Sequence, residues 1–149
     1  MRCSPMLEVT KRALGDLKKA SKLDEALDLR LFWILNVTLL GIVKDVFWNE
    51  DLNRAEENAR KLMKNVYENH KNETIFEFVD SDSRNRLLHQ YKRDWTGEDF
   101  VDYGYVEEGY VEQAEYIRPP FEGKHPVGLI RQAIKWWEGV VEDVENLTT

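Results

Sequence analysis

Apolar side chains recur at intervals of three and four residues along most of the chain, and this spacing predicts amphipathic helices. Ser4-Pro5 is typical of a helix cap followed by a first-turn proline, so a first helix is expected to run to about residue 20. Asn49 can cap a further helix over residues 50–69, and Pro126 opens a last helix. The inward faces of the first and last helices are expected to contain Leu7, Leu14, Leu17, Ile130, Ala133, Ile134, Trp137, Val141 and Val144.

A second helix, predicted over residues 24–47, is apolar on almost every side. Its most apolar run, residues 31–43, is shorter than the ~20 residues that a bilayer needs, and Lys44-Asp45 follow at once. We therefore expect a helix buried in protein and no membrane partner. A helix that is apolar all round must be covered all round, so it is either the central helix or turns half of its surface toward another subunit.

The remaining segments are shorter. Residues 75–79 could form a helical turn or a strand, and residues 80–83 offer cap oxygens for a helix that contains residues 84–91. Residues 100–106 and 110–117, rich in Tyr and Val, predict a β-hairpin. The expected fold is a single domain over residues 1–149: an all-α, antiparallel bundle of about five helices with a small hairpin-like insertion before the last helix.

Composition and cysteine content predict a cytoplasmic domain. The 149 residues are 42% hydrophobic, enough for a core. A single cysteine, Cys3, excludes an internal disulfide and fits a reducing compartment, and the first five residues lack the apolar core of a signal peptide. His70 and His125 have no metal-like spacing to each other or to Cys3, and no glycine-rich phosphate loop occurs, so no metal and no cofactor are expected.

The net negative charge of the chain is concentrated in one segment. Residues 98–122 contain eight acidic residues and one basic residue, which accounts for the whole net charge of −7. Global acidity argues against a broad electrostatic nucleic-acid binder, although a local RNA site on the neutral remainder stays open. Four of the six tyrosines lie in this acidic insertion. It is either a solvated loop packed by its own aromatic rings, or an element that docks a partner or inhibits the protein by mimicking nucleic acid.

The chemically specific feature of the chain is Arg84-Asn85-Arg86-Leu87-Leu88-His89-Gln90-Tyr91. On a helix, Arg84, His89 and Tyr91 can surround one small polar volume. A guanidinium binds phosphate through two parallel hydrogen bonds, and an imidazole exchanges protons near neutral pH. A base beside a phosphate clamp is what metal-free RNA cleavage needs. The same residues could equally be a surface ion pair and a buried, satisfied histidine.

This stretch resembles the signature of the HEPN superfamily, helical-bundle proteins of which many are ribonucleases, and it looks most like the HepT-type toxins. The resemblance implies a metal-independent endoribonuclease, such as the toxin of a toxin–antitoxin pair, that works as a homodimer. Arg84 would contact the scissile phosphate, His89 would act as general acid or base, and Asn85 would help hold the site. Tyr91 would be the position that a nucleotidyltransferase antitoxin modifies with AMP.

Three basic residues could add RNA contacts: Arg86, Lys92 and Arg93. Lys92 and Arg93 could equally be cations at a helix end. The long acidic insertion departs from the family pattern and should repel RNA. Two other functions therefore remain open: a non-catalytic HEPN-like nucleotide-binding or regulatory protein, and a helical interaction module that uses the acidic insertion.

Overall fold

The computed structural model describes residues 1–20, 26–80, 100–101, 115–116 and 126–148. The helices are α1 (Cys3–Ala20), α2 (Ala26–Val46), α3 (Leu52–Arg54), α4 (Glu57–His70), α5 (Phe76–Asp80) and α6 (Pro126–Thr148), with a π-helical segment, Phe47–Asp51, between α2 and α3. Two short strands, β1 (Phe100–Val101) and β2 (Glu115–Tyr116), precede α6. This confirms the predicted all-α bundle, and it settles residues 76–80 as helix rather than strand.

Helices α1 and α2 form an antiparallel pair, and α6 packs against both α1 and α4. The antiparallel order follows from the side-chain contacts: Asn36 reaches Ala13, whereas Asp51, further along the chain, reaches Cys3. The predicted inward residues of α1 and α6 are buried, except that Val141 is only half-buried. Apolar burial on this scale is the main stabilising contribution in a domain of this size.

One buried polar side chain fixes how α1 and α2 sit against each other. Asn36 is fully buried, and its Nδ2 donates to the carbonyl oxygens of Phe32 at 2.7 Å and Ala13 at 3.1 Å. Sliding α2 along α1 would leave this amide group without the Ala13 acceptor inside the core, which costs on the order of 1–3 kcal/mol. Asn36 therefore favours one register of the helix pair.

The chain after α2 differs from the prediction. Residues 47–54 continue the axis of α2 as a π-helical segment and a short helix, and the helix breaks at Ala55, where ψ is 144°. The expected single helix over 50–69, capped by Asn49, is therefore wrong. The guanidinium of Arg60 reaches back and donates to three carbonyl oxygens near the break, those of Leu52, Asn53 and Ala55. The Arg60 side chain thus stabilises the break, and the periodicity of apolar residues does not reveal this contact.

The start of α1 also differs from the prediction. The helix begins at Cys3, so Ser4 lies inside the first turn instead of capping it. The cap comes from Asp51, whose carboxylate accepts the backbone N–H groups of Arg2 at 2.6 Å and Cys3 at 2.9 Å. A carboxylate at a helix N-terminus satisfies free N–H groups and interacts favourably with the helix dipole.

One side of α2 is uncovered within the described part of the chain. Leu31 and Leu35 are 52% and 41% exposed, whereas Trp33, Val37 and Val43 are buried. The stretch Leu31–Arg54 is long and apolar enough, by length and composition, to span a membrane, and 39% of its most apolar window is buried. The core helix of a soluble protein passes the same test. Among the described residues, α2 is therefore buried on one side and exposed on the side of Leu31 and Leu35. Cover on every side, one of the two predicted arrangements, is not complete.

The predicted hairpin is present as a short antiparallel pair. Phe100 pairs with Tyr116, and Val101 pairs with Glu115. Both pairs are centred on Glu108, which lies in the predicted turn Glu107-Glu108-Gly109. The register therefore agrees with the hairpin-like insertion expected before the last helix.

Candidate functional site

All the residues predicted to form the ribonuclease site lie outside the described residues: Arg84, Asn85, Arg86, His89, Tyr91, Lys92 and Arg93. The structure describes how the chain approaches them. Helix α5 ends at Asp80, and its Phe78 ring packs 5.9 Å from the ring of Trp33 on α2. Phe78 and Val79 are both buried. The chain is therefore anchored in the core immediately before the 84–91 segment begins.

A cleft of about 340 Å³ lies in the described part of the chain, between the end of α4, the following turn and one face of α6. We call this the His70 cleft. It is lined by His70, Glu73, Thr74, Ile75, Gln132, Lys135, Trp136 and Gly139. The lining combines a titratable ring, a carboxylate, a lysine, an amide and a hydroxyl with two apolar side chains. Its volume falls at the lower end of the range that small-molecule pockets occupy.

The spacing of residues on α6 builds one wall of the cleft. Gln132, Trp136, Gly139 and Asp143 follow one another at intervals of four, three and four, so they lie on one face of the helix. Trp136 is buried, and its Nε1–H donates to the backbone oxygen of His70 at 2.9 Å. This bond ties the last residue of α4 to α6 and fixes the position of the His70 backbone.

The imidazole of His70 is held between two carboxylates. Its Nε2–H donates to Oδ2 of Asp143 at 2.7 Å, and its Nδ1 lies 3.5 Å from Oε2 of Glu73. The ring is 18% exposed, whereas the two carboxylate side chains are about half exposed. The Asp143 bond is short and joins residues far apart in the sequence, whereas the Glu73 contact is long for a hydrogen bond. Asp143 therefore orients the ring, and Glu73 is the looser partner.

A glycine makes room for the ring. A Cβ atom at Gly139 would lie 3.2 Å from Cε1 of His70, closer than ordinary van der Waals contact. A side chain at this position would require the imidazole to shift by a few tenths of an ångström. The absence of a side chain at residue 139 thus belongs to the geometry of the cleft, although glycine costs helix stability.

An aromatic cluster lies beneath the cleft. Trp136 packs edge-on against Trp137 and Tyr67, with ring centroids 5.0 and 5.4 Å apart, and Tyr67 stacks on Phe47 at 5.7 Å. Trp136 and Trp137 are both buried, so both tryptophans pack in the core. Rings at these distances attract one another beyond the burial of their area. The cleft therefore has a rigid floor.

Cys3 is a poor candidate for a nucleophile. Burial, together with the nearby Asp51 carboxylate, raises the pKa of its thiol to about 12. The thiolate is the reactive form of cysteine, so this thiol stays protonated and unreactive near neutral pH. Within the described ranges, no three His, Cys, Asp or Glu side chains converge on a point that could hold a metal ion.

Sequence reasoning considered His70 only as a metal ligand and missed its cleft. His70 and Asp143 are 73 residues apart, and nothing in the periodicity of either helix says which helix faces it. A usable signal was Gly139 in the middle of the amphipathic last helix, since an internal helical glycine often marks a close approach.

The chain matches no protein family, no curated protein and no solved structure in the comparisons with known proteins.

Proposed function

We propose that this protein is a cytoplasmic, metal-independent endoribonuclease of the HEPN kind, with Arg84 as the phosphate clamp and His89 as the general acid or base. The observation that carries the proposal is the spacing Arg84-x4-His89-x-Tyr91. These residue types supply a permanent cation for the phosphate and a proton acceptor for the 2′-hydroxyl, which together suffice for cleavage without metal.

Two features of the fold support the proposal. The described chain is a helical bundle, which is the architecture that the resemblance implies. The exposed apolar positions Leu31 and Leu35 on α2 offer a surface that a second copy could cover, as a homodimeric enzyme needs. In a homodimer, two copies of the 84–91 segment could share one RNA-binding cleft.

The decisive experiment incubates the purified protein with RNA in excess chelator. We expect cleavage that leaves a 2′,3′-cyclic phosphate and a 5′-hydroxyl, lost in His89→Ala and Arg84→Ala. The matched control is His125→Ala, which removes a histidine outside the 84–91 segment and should keep the activity. Intact RNA with the folded wild-type protein, or full cleavage by folded His89→Ala, would contradict the proposal.

The toxin–antitoxin role is tested by a second measurement. A nucleotidyltransferase antitoxin, supplied with ATP, is expected to add one AMP to Tyr91 and to abolish cleavage. Mass spectrometry would detect the added group, and Tyr91→Phe should prevent it. Modification of Tyr91→Phe to the same extent would exclude Tyr91 as the acceptor and remove the basis for the pairing.

The acidic insertion favours a second candidate, a regulatory or partner-binding protein that does not cut RNA. Its charge of −7 over residues 98–122 should repel RNA from a neighbouring site. A non-catalytic nucleotide-binding protein should gain thermal stability from a nucleotide, and Arg84→Ala should abolish that gain. An interaction module should lose its partner when residues 98–118 are deleted, while tolerating both the Arg84 and the His89 changes.

A further inference from the structure

The His70 cleft contains more hydrogen-bond donors than its own acceptors use. Among the described residues, Lys135, Gln132 and Thr74 line the cleft without a side-chain hydrogen bond or ion pair, and all three are exposed. When the imidazole of His70 carries both protons, its Nδ1–H adds a fourth donor on the side facing Glu73. Two of these four donors are then cationic.

The acceptor now facing Nδ1 is weakly held. The Glu73 carboxylate lies 3.5 Å from Nδ1, and its side chain is 53% exposed, so it can turn into solvent at small cost. Asp143, in contrast, holds Nε2 at 2.7 Å on the opposite edge of the ring. A ligand oxygen can therefore replace Glu73 without disturbing the bond that orients the ring.

We propose that the His70 cleft binds the phosphate group of a small phosphate monoester. The Lys135 ammonium and the Nδ1–H of a doubly protonated His70 face its negative charges, and Gln132 and Thr74 donate to its remaining oxygens. Three terminal oxygens match this donor set better than the two oxygens of a carboxylate. Ile75 and the edge of Trp136 provide apolar contact for the organic part of the ligand.

The dimensions of the cleft favour a small ligand over a nucleic-acid strand. A volume of about 340 Å³ suits a phosphorylated small molecule, whereas a strand needs an extended groove with cations along it. Glu73 and Asp143 place two carboxylates at the cleft, and such carboxylates would repel the neighbouring phosphates of a strand. A single phosphate group that replaces Glu73 avoids this repulsion.

The test is isothermal titration of the whole protein at pH 6.5 with inorganic phosphate, a nucleoside 5′-monophosphate and a sugar phosphate. Binding of all three would mean recognition of the phosphate group alone, and preference for one ester identifies the organic part. Lys135→Gln should weaken binding about tenfold, since it removes one charge-assisted hydrogen bond. Lys64→Gln, an exposed lysine on α4 outside the cleft, is the matched control and should leave the affinity unchanged.

Glu73→Gln separates a binding site from a merely structural histidine. Because Glu73 competes with the ligand for Nδ1–H and repels it, this variant should bind phosphate more tightly than the wild type. Weaker or unchanged binding by Glu73→Gln would overturn the proposal, as would the absence of heat with all three probes up to about 10 mM ligand. The cleft shares no residue with the 84–91 segment, so failure here leaves the ribonuclease proposal standing, and failure of RNA cleavage leaves this one.

Discussion

The capping of α1 by Asp51 gives a prediction with two independent readouts. The Asp51 carboxylate accepts the backbone N–H groups of Arg2 and Cys3, at 2.6 and 2.9 Å, and no side chain of the first turn of α1 replaces it. Removing a capping side chain costs about 1–2 kcal/mol. We therefore expect Asp51→Ala to lower the free energy of unfolding by about that amount, which corresponds to a fall in Tm of about 3–6 °C at this chain length.

The second readout is the thiol of Cys3, the one cysteine in the chain. Burial is the larger cause of its raised pKa, and the Asp51 carboxylate adds to it. Asp51→Asn removes the negative charge but keeps a side-chain oxygen that can accept a hydrogen bond. This variant should therefore shift the pKa of the thiol downward from about 12, while burial keeps it above the ordinary 9.0. The S–H stretching band in a Raman titration reports the change directly.

Asp16→Asn is the matched control, because Asp16 is an exposed acid on α1, the helix that Asp51 caps, and lies outside the cap. It should change the free energy of unfolding by less than about 0.5 kcal/mol and leave the thiol titration unchanged. If Asp51→Ala and Asp16→Asn unfold at the same temperature, the cap contributes nothing measurable. An unchanged thiol pKa in Asp51→Asn would refute the electrostatic argument even if stability falls.

Three further predictions follow from the fold. The pKa of the Cys3 thiol is about 12 in the folded protein and 9.0 in the unfolded chain, so the unfolded thiol loses its proton first as pH rises. The free energy of unfolding should therefore fall between these pH values by up to about 1.4 kcal/mol per pH unit. In urea melts, Cys3→Ala should show a flatter pH profile than the wild type. Trp137→Ala should lower the free energy of unfolding by about 3–5 kcal/mol, because this fully buried ring leaves a cavity, and a loss under 1 kcal/mol in urea melts would contradict the packing described. If the proposed homodimer forms through this face of α2, Leu35→Glu should keep the helical circular dichroism and lower the mass in sedimentation equilibrium from that of two chains to that of one. A wild-type protein with the mass of one chain, or a Leu35→Glu variant that stays dimeric, would exclude this face as the interface.

The three- and four-residue spacing of apolar side chains correctly predicted the helices that bury a single face. The spacing of three and four in α1 and α6 placed Leu7, Leu17 and Ile130 in the core, because an apolar stripe on a helix has to face the interior. Tyr-rich and Val-rich runs also placed the strand pair with the right centre. These features depend on short-range patterns, which the sequence displays directly.

The features that the sequence did not predict depend on contacts between distant residues. Residues 53–56 contain neither glycine nor proline, yet the helix breaks at Ala55, where Arg60 supplies donors for the carbonyl oxygens near the break. The partner of His70 is on another helix, and a periodic pattern cannot say which helices meet. Local propensity is a weak prior in both places, and tertiary contacts override it.

The π-helical segment Phe47–Asp51 sets the rotation between α2 and the residues that follow it. A wider turn accommodates one more residue than an α-helix does, and it lets Phe47 enter the aromatic cluster while Asp51 still reaches the start of α1. Closing this segment as a regular α-helix at its present length would rotate everything after it by about 100°. The locally more regular helix would then carry Asp51 away from Cys3, so the irregularity is a spacer whose removal would unlink two ends of the bundle.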